Sequence, residues 1–278
     1  MVVRCGGRGD TCAVTLSPTT AAEASARRKW DEAALQWPEN RPVLWRRQSD
    51  AVNRGVLRRW LAGPLAAVLK TDLFDEMAAE GLYPELAARA RRVVGVDVSP
   101  VIVQRARGRY PHLEATVADV RALPFDDGAF DAVVSNSTLD HFGGPDEVAK
   151  ALTEIHRVLR PGGLVLVTLD NALCPAIALR RTLPAGLARR LRRVPFDSGW
   201  TCGPLRLRRL LTQAGFDVRD TTALLHAPRA VVARLDGLYD GRDGRLWRAI
   251  LGCERLGRWP SRYLTGHFVG ALAERPPV

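Results

Sequence analysis

The stretch from Arg92 to Gly163 limits the possible folds of this chain more than any other. Three strand-like units, RRVVGVDVSP, ATVADVRALPFDDGAFDAVVSNSTLDHF and EIHRVLRPGGLVLVTLD, follow one another with helical material between them. Val93–Val96 is a short apolar run closed by Asp97, as expected of a buried parallel strand with a carboxylate at its carboxyl end. Open α/β sheets bind ligands at that end, where a carboxylate commonly takes the paired hydroxyls of a ribose. Some twenty residues on, Ala118-Asp119-Val120 offers a second acid, and Phe130–Ser135 reads as the next buried strand. Glu147–Leu159 has apolar residues at helical spacing. Arg160-Pro161-Gly162-Gly163 reads as a sharp stop, and Leu164–Leu169 as a further strand.

These pieces, in this order, resemble a class I S-adenosylmethionine-dependent methyltransferase. The resemblance rests on Asp97, on the acid of ADVRALPF (Asp119), on the DDGAFDAVVS strand and on the HRVLRPGG turn. It covers roughly residues 60–223 and, less closely, 260–274. It implies a Rossmann-like, doubly wound α/β fold with a mostly parallel seven-stranded sheet, an antiparallel last strand at the sheet's edge, and helical insertions. It also implies S-adenosyl-L-methionine as cofactor, with its ribose on Asp97 beside Val98, its adenine amine near Asp119 and Val120, and Ser135 lining the same cleft.

The first cofactor loop departs from the family. There a strand runs into Asp-x-Gly-x-Gly-x-Gly, whose glycines let the backbone approach the methionine part of the cofactor. Here the strand Ala66–Leu69 runs into Lys70-Thr71-Asp72-Leu73-Phe74-Asp75-Glu76, so Asp72, Phe74 and Glu76 take the three glycine positions. Three outcomes are open. The acids, Asp72 first, hold the cofactor's ammonium while Lys70 and arginines neutralise its carboxylate; or Asp72, Asp75 and Glu76 bind a divalent metal; or the pocket is lost and the fold is a non-catalytic scaffold. Phe74 or Glu76 filling the space of the amino-acid tail would exclude methyl transfer.

Ser135-Asn136-Ser137-Thr138-Leu139-Asp140-His141 crowds polar groups at the carboxyl end of the fourth strand. His141 is the candidate proton acceptor, with Asp140 as its electrostatic neighbour and Asn136 beside it. Its bland alternative is a helix cap packed on Phe142. Thr138, and Asp170 and Asn171 after the fifth strand, are candidate substrate contacts. The other histidines, His112, His156, His226 and His267, lack such a setting.

Residues 1–20 read as disordered and 21–61 as a helical segment, Ala21–Gln36 and Val43–Leu61 broken by Pro38 and Pro42, lying beside the cleft. Residues 62–278 form the Rossmann-like domain, with insertions at 170–202 and 228–259. A helix pair is expected over Pro175–Arg193, either as a lid whose arginines meet a phosphate or an anionic membrane surface, or as a solvated cationic face. Two more helices are expected in Pro228–Trp259, around the turn-rich Asp240–Gly244, and a closing strand over Arg262–Ala273.

The net charge of +11 would ordinarily suggest an anionic partner. Yet Lys29, Lys70 and Lys150 are the only lysines, so 38 of the 41 basic residues are arginine, a bias that a GC-rich genome also produces. No clustered basic and aromatic pattern of a nucleic-acid reader is present. Cys5, Cys12, Cys174, Cys202 and Cys253 have no metal-ligand spacing and read as reduced thiols of a cytoplasmic protein. No apolar run approaches the roughly 18–20 residues that span a bilayer. The acceptor is therefore expected to be a small molecule or lipid-like, with peripheral membrane contact open and the oligomeric state undetermined.

Overall fold

The computed structural model describes residues 21–37, 44–182, 199–236, 239 and 244–277. The expected disorder of 1–20, the break at Pro38 and Pro42, most of the second helix of the first insertion and most of the 240–244 turn lie outside them. Seven strands form one sheet: β1 (Leu65–Lys70), β2 (Ala90–Asp97), β3 (Glu114–Val117), β4 (Phe130–Asn136), β5 (Leu159–Asp170), β6 (Asp217–Leu224) and β7 (Phe268–Glu274). Their order is β3-β2-β1-β4-β5-β7-β6, with β7 antiparallel to both its neighbours.

The chain order reverses direction between β1 and β4, which pair in parallel. At such a switch point the connections leave to opposite sides and open a crevice at the carboxyl ends. Helices cover both faces because the strands carry apolar side chains on both. Leu69, Val94, Val96, Val133, Val165 and Val167 face one layer, which holds α6 (Pro145–Val158) and α8 (Pro204–Gln213). Their neighbours Val68, Val93, Ala132, Val134 and Leu166 face the other, with α2 (Leu44–Trp60) and α5 (Pro100–Arg109). The period-two alternation is that of a pleated strand. α1 (Ala21–Gln36) takes the expected bounds, and α5 starts where Ser99 accepts from the Ile102 N–H at 3.1 Å ahead of Pro100. The first insertion opens with α7 (Pro175–Thr182), and the second holds the two expected helices, α9 (Arg229–Leu235) and α10 (Gly244–Gly252).

Four expectations need correction. β2 begins three residues early, at Ala90, after two short helices, α3 (Phe74–Ala78) and α4 (Tyr83–Ala87), parted by Gly81 at φ +64°. The Arg160–Gly163 turn does follow the end of α6 at Val158, but it lies within a strand rather than before one. It is an irregularity inside β5, with Gly162 at φ +75° and Gly162 and Gly163 bonded to Arg275. Arg262–Thr265 is a helical turn, α11, and the last strand starts only at Phe268. Finally, β7 is not the edge strand. It is buried along most of its length, whereas β6 exposes Asp217, Arg219 and Asp220 and lies outermost, where charged residues blunt an edge.

Candidate active site at the strand ends

Asp97 closes β2 with its carboxylate held in place by backbone: Oδ2 accepts from Leu73 N–H at 3.0 Å and Oδ1 from Ser99 N–H at 2.9 Å. Burial pushes its pKa up to about 6, against the pull of those two bonds and of Lys70. Each oxygen keeps a further lone pair for a ligand hydroxyl. Ser99 Oγ donates to Asp31 on α1, which fastens the amino-terminal helix over this loop.

The loop that replaces the glycines leaves the crevice open, because Leu73 and Glu76 are drawn away from it and Phe74 lies along its wall. Leu73 lies on Gly95, where a Cβ would come within 2.4 Å of Leu73 Cδ2. Phe74 turns to the helices, its ring 5.9 Å from Trp30 and 5.3 Å from Trp37, under the Arg46 guanidinium. Glu76 is fully buried beneath the loop. One oxygen accepts from Leu82 and Tyr83 N–H groups at 2.8 and 3.1 Å, and the other meets Lys70 at 2.9 Å. Gly81 is required here, since a Cβ would lie 2.7 Å from Glu76 Oε1.

Lys70 also donates to the Asp72 carbonyl at 2.7 Å and pairs with the Asp72 carboxylate at 3.1 Å. Asp75 is engaged by Arg46 and by Asn136 Nδ2 at 3.2 Å. The three acids are therefore neutralised by the protein's own cations, and no metal-ligand cluster forms among the described residues. Burial pushes Asp72 up to about 7, Lys70 opposing and Asp75 and Glu76 adding to the rise. Its side chain still faces the crevice with 16% of its surface, where a bound ammonium would restore the ionised form.

Across the rim, Asp119 is clasped by Arg121 through Nε at 3.0 Å and Nη2 at 2.6 Å, and Arg121 continues to Glu147. Val98 and Val120 line the same wall. Beyond β4, Ser137 has φ 53°, in the left-handed region that β-carbon sterics disfavour. The bend sends Thr138, Asp140 and His141 into the crevice. Thr138 Oγ1 reaches Thr71 Oγ1 at 2.9 Å and Asp72 at 3.3 Å. Asn136 lines the crevice, but its amide is spent on Asp75 and on Thr168 Oγ1, which donates to it at 2.8 Å.

Enclosure by the crevice walls pushes the His141 pKa down to about 4, with Lys29 adding to the fall, so the ring is neutral at physiological pH. Trp30 packs edge-on to it at 4.7 Å, and its Nδ1 has no hydrogen-bond partner. Asp140 accepts from Ser137 Oγ at 2.8 Å. Burial, with Asp170 nearby, lifts its pKa well above the carboxylate range. A raised carboxyl keeps its proton in the folded state, so its stabilising effect is complete below the ordinary value of 3.8 and declines as pH rises above it. Asp140→Asn is expected to raise Tm at pH 8 and not at pH 4. Thermal scans at the two pH values check this.

Two candidate residues lie outside the crevice walls. Ser135 is fully buried in the sheet. Asn171 spends its side chain on the Tyr263 and Gly266 carbonyls at 2.7 and 2.9 Å and on Leu173 N–H at 3.1 Å, tying β5 to α11. Conversely, His226 and His267, set aside from sequence, do line the crevice, and His267 Nε2 lies 3.5 Å from Asp170. Trp30, Arg46 and Arg121 join them. Only the Asp-x-Arg spacing of Asp119 and Arg121 could have signalled one of these. The crevice encloses about 1560 Å³, beyond the ~300–1,000 Å³ of a site for one small ligand.

The reversal between β1 and β4, the acids closing β2 and following β3 and the antiparallel β7 give the chain the Rossmann-like fold of its methyltransferase neighbours. Residues 78–167 match the family described as a methyltransferase domain. The chain is 33% identical over 182 residues to a protein of Mycolicibacterium smegmatis named a probable S-adenosylmethionine-dependent methyltransferase, covering 64% of this chain and 65% of that one. It is 31% identical over 150 residues to the demethylmenaquinone methyltransferase of Renibacterium salmoninarum, covering 52% of this chain and 62% of that one. It thus spans just under two thirds of these relatives. The geranyl diphosphate C-methyltransferase of Streptomyces coelicolor, solved with Mg2+, geranyl diphosphate and S-adenosyl-L-homocysteine, shares the fold at TM-score 0.60 and 17% identity, over 94% of this chain and 100% of that one. No helix among the described residues is long and apolar enough to cross a membrane.

Proposed function

We propose that this protein transfers the methyl group of S-adenosylmethionine to an amphipathic acceptor with a hydrophobic body. The observation that carries the reading is one crevice of about 1560 Å³, lined by Asp97 and Asp72 together with many apolar side chains, with room for two ligands. At the rim, Asp97 would hold the ribose hydroxyls, Asp72 the ammonium, and Asp119 with Val98 and Val120 the adenine. Bound there, the cofactor supplies an electrophilic methyl on a sulfonium.

Its lining combines the polar Asp140, His141, Asp170 and His267 with the apolar Trp30, Ile177, Leu225, Ala230 and Phe268. A molecule with a polar nucleophilic head and an apolar body satisfies both. The printed names of two relatives, for demethylmenaquinone and for geranyl diphosphate, support such an acceptor. Alignment of nucleophile and methyl carries most of the rate. His141, neutral and with Nδ1 unpartnered, takes the departing proton. Trp30 and α1 shield the site from water.

Calorimetry with S-adenosylhomocysteine tests the cofactor half, with micromolar binding expected; no heat at millimolar ligand sinks it. The acceptor half is read as transfer of labelled methyl to solvent-extracted bacterial lipid. His141→Gln is expected to cut that transfer by about 10²–10⁴-fold while leaving S-adenosylhomocysteine affinity unchanged.

A further inference from the structure

The crevice opens outward beside the 3₁₀ helix Cys253–Arg258, and that helix sorts its side chains by chemistry. Residues three apart eclipse one another in a 3₁₀ helix, so it has three edges. The first, Glu254 and Gly257, faces inward. Glu254 accepts from the Leu225 and His226 N–H groups at 3.2 and 2.9 Å, and a Cβ on Gly257 would meet His226 Nε2 at 3.1 Å. The second runs Cys253, Leu256, Trp259: Cys253 and Leu256 line the crevice, and the stripe continues outward to Trp259, which is 63% exposed. The third carries Arg255 and Arg258, both exposed and in no ion pair with a described residue. Leu264 of α11, the helical turn packed next to this helix, also lines the crevice and is 55% exposed.

We propose that this face docks on an anionic phospholipid bilayer, which makes the acceptor a membrane-resident lipid that enters the crevice through the mouth. Exposed Leu256 and Leu264 on the crevice lining, continued outward by exposed Trp259, suit a bilayer, where an indole and aliphatic side chains seat at the headgroup level. Trp259 is the residue type concentrated at that depth. Two exposed guanidiniums one 3₁₀ turn apart match the negative surface potential of anionic lipids. The chain's net charge of +11 adds long-range attraction of the same sign. The acceptor's route rests on the function proposed above; the docking itself does not.

The test is co-sedimentation of the full chain with phosphatidylcholine vesicles, with and without about one third phosphatidylglycerol. Binding is expected only with the anionic lipid, weakening as salt rises. Arg255→Glu/Arg258→Glu and, separately, Trp259→Ser are each expected to weaken it by about tenfold or more, with Tm and S-adenosylhomocysteine affinity unchanged because these side chains are exposed and away from the rim. The proposal is overturned by equal binding of the variants and the parent, by no preference for anionic vesicles, or by a concentration-dependent dimer that the same variants abolish, which would assign the face to a second copy. Vesicle binding without cofactor heat sinks the methyltransferase reading and leaves the docking face; the reverse sinks the docking face alone.

Discussion

Asp97→Ala is expected to weaken S-adenosylhomocysteine binding by about 10²–10⁴-fold. Two ribose hydroxyls on one ionised carboxylate are worth about 1.5–3 kcal/mol each, and 1.4 kcal/mol is a tenfold change. The substitution also frees the Leu73 and Ser99 N–H groups that the carboxylate now satisfies, so Tm is recorded beside the titration. In the parent protein the affinity carries a pH signature. Asp97, pushed up to about 6 by burial, must be ionised to accept both hydroxyls, and Asp72, pushed up to about 7, must be ionised to hold the ammonium. Binding therefore weakens as pH falls through two steps, up to about tenfold per pH unit for each proton taken up. Asp72→Asn removes the upper step and leaves the lower. Asp97→Ala with parental affinity, or a flat pH profile from 5 to 8, takes the nucleoside off this rim.

Lys70→Met is expected to cost about 3–5 kcal/mol of stability at pH 7.5, read by urea unfolding. Its ammonium is the cation that Asp72 and Glu76 share, and both it and Glu76 are buried. Removing one member of a buried ion pair leaves an uncompensated charge, at about that cost. Against a total stability of about 5–15 kcal/mol this is a large fraction. Burial by itself would lower the Lys70 pKa, but Asp72, Glu76 and Asp75 together raise it. The lysine thus stays charged until pH climbs far above neutrality, and the loss should be smaller near pH 5, where Asp72, pushed up to about 7 by burial, carries its proton. Lys70→Met/Glu76→Leu should be less destabilised than Lys70→Met alone, since apolar groups can replace a buried pair at little cost. A single-variant loss below about 1 kcal/mol would show that the pair does not hold the loop.

That pair also explains why the first loop was the least legible part of the sequence. Three carboxylates where glycines belong look like a binding site for a metal or an ammonium. Nothing in the spacing of Asp72, Asp75 and Glu76 says that Lys70 at the end of β1 turns under the loop, or that Arg46 crosses from α2 to Asp75. Phe74 read as an obstruction until Trp30 of α1, Trp37 just past its end and Arg46 of α2 received it. Strand-end position had a related weakness: it put Asn171 and Asp170 together, but only Asp170 faces the crevice, while Asn171 is claimed by carbonyls over ninety residues on. His226 and His267 reach the crevice from elements whose insertion lengths carry no positional rule. The place of β7 was better signalled than it was read, since the charges of Asp217, Arg219 and Asp220 already mark β6 as an edge.

The amino-acid sequence by itself determined the alternating strands and helices and the acids Asp97 and Asp119 at the strand ends, because periodicity and turn chemistry act over a few residues. The tertiary structure alone decided that the loop after β1 leaves its crevice open, which histidines line it, and that its mouth carries Trp259 beside exposed arginines. Each of those depends on which distant side chain arrives to satisfy a charge or cover a ring, and local spacing holds no record of that.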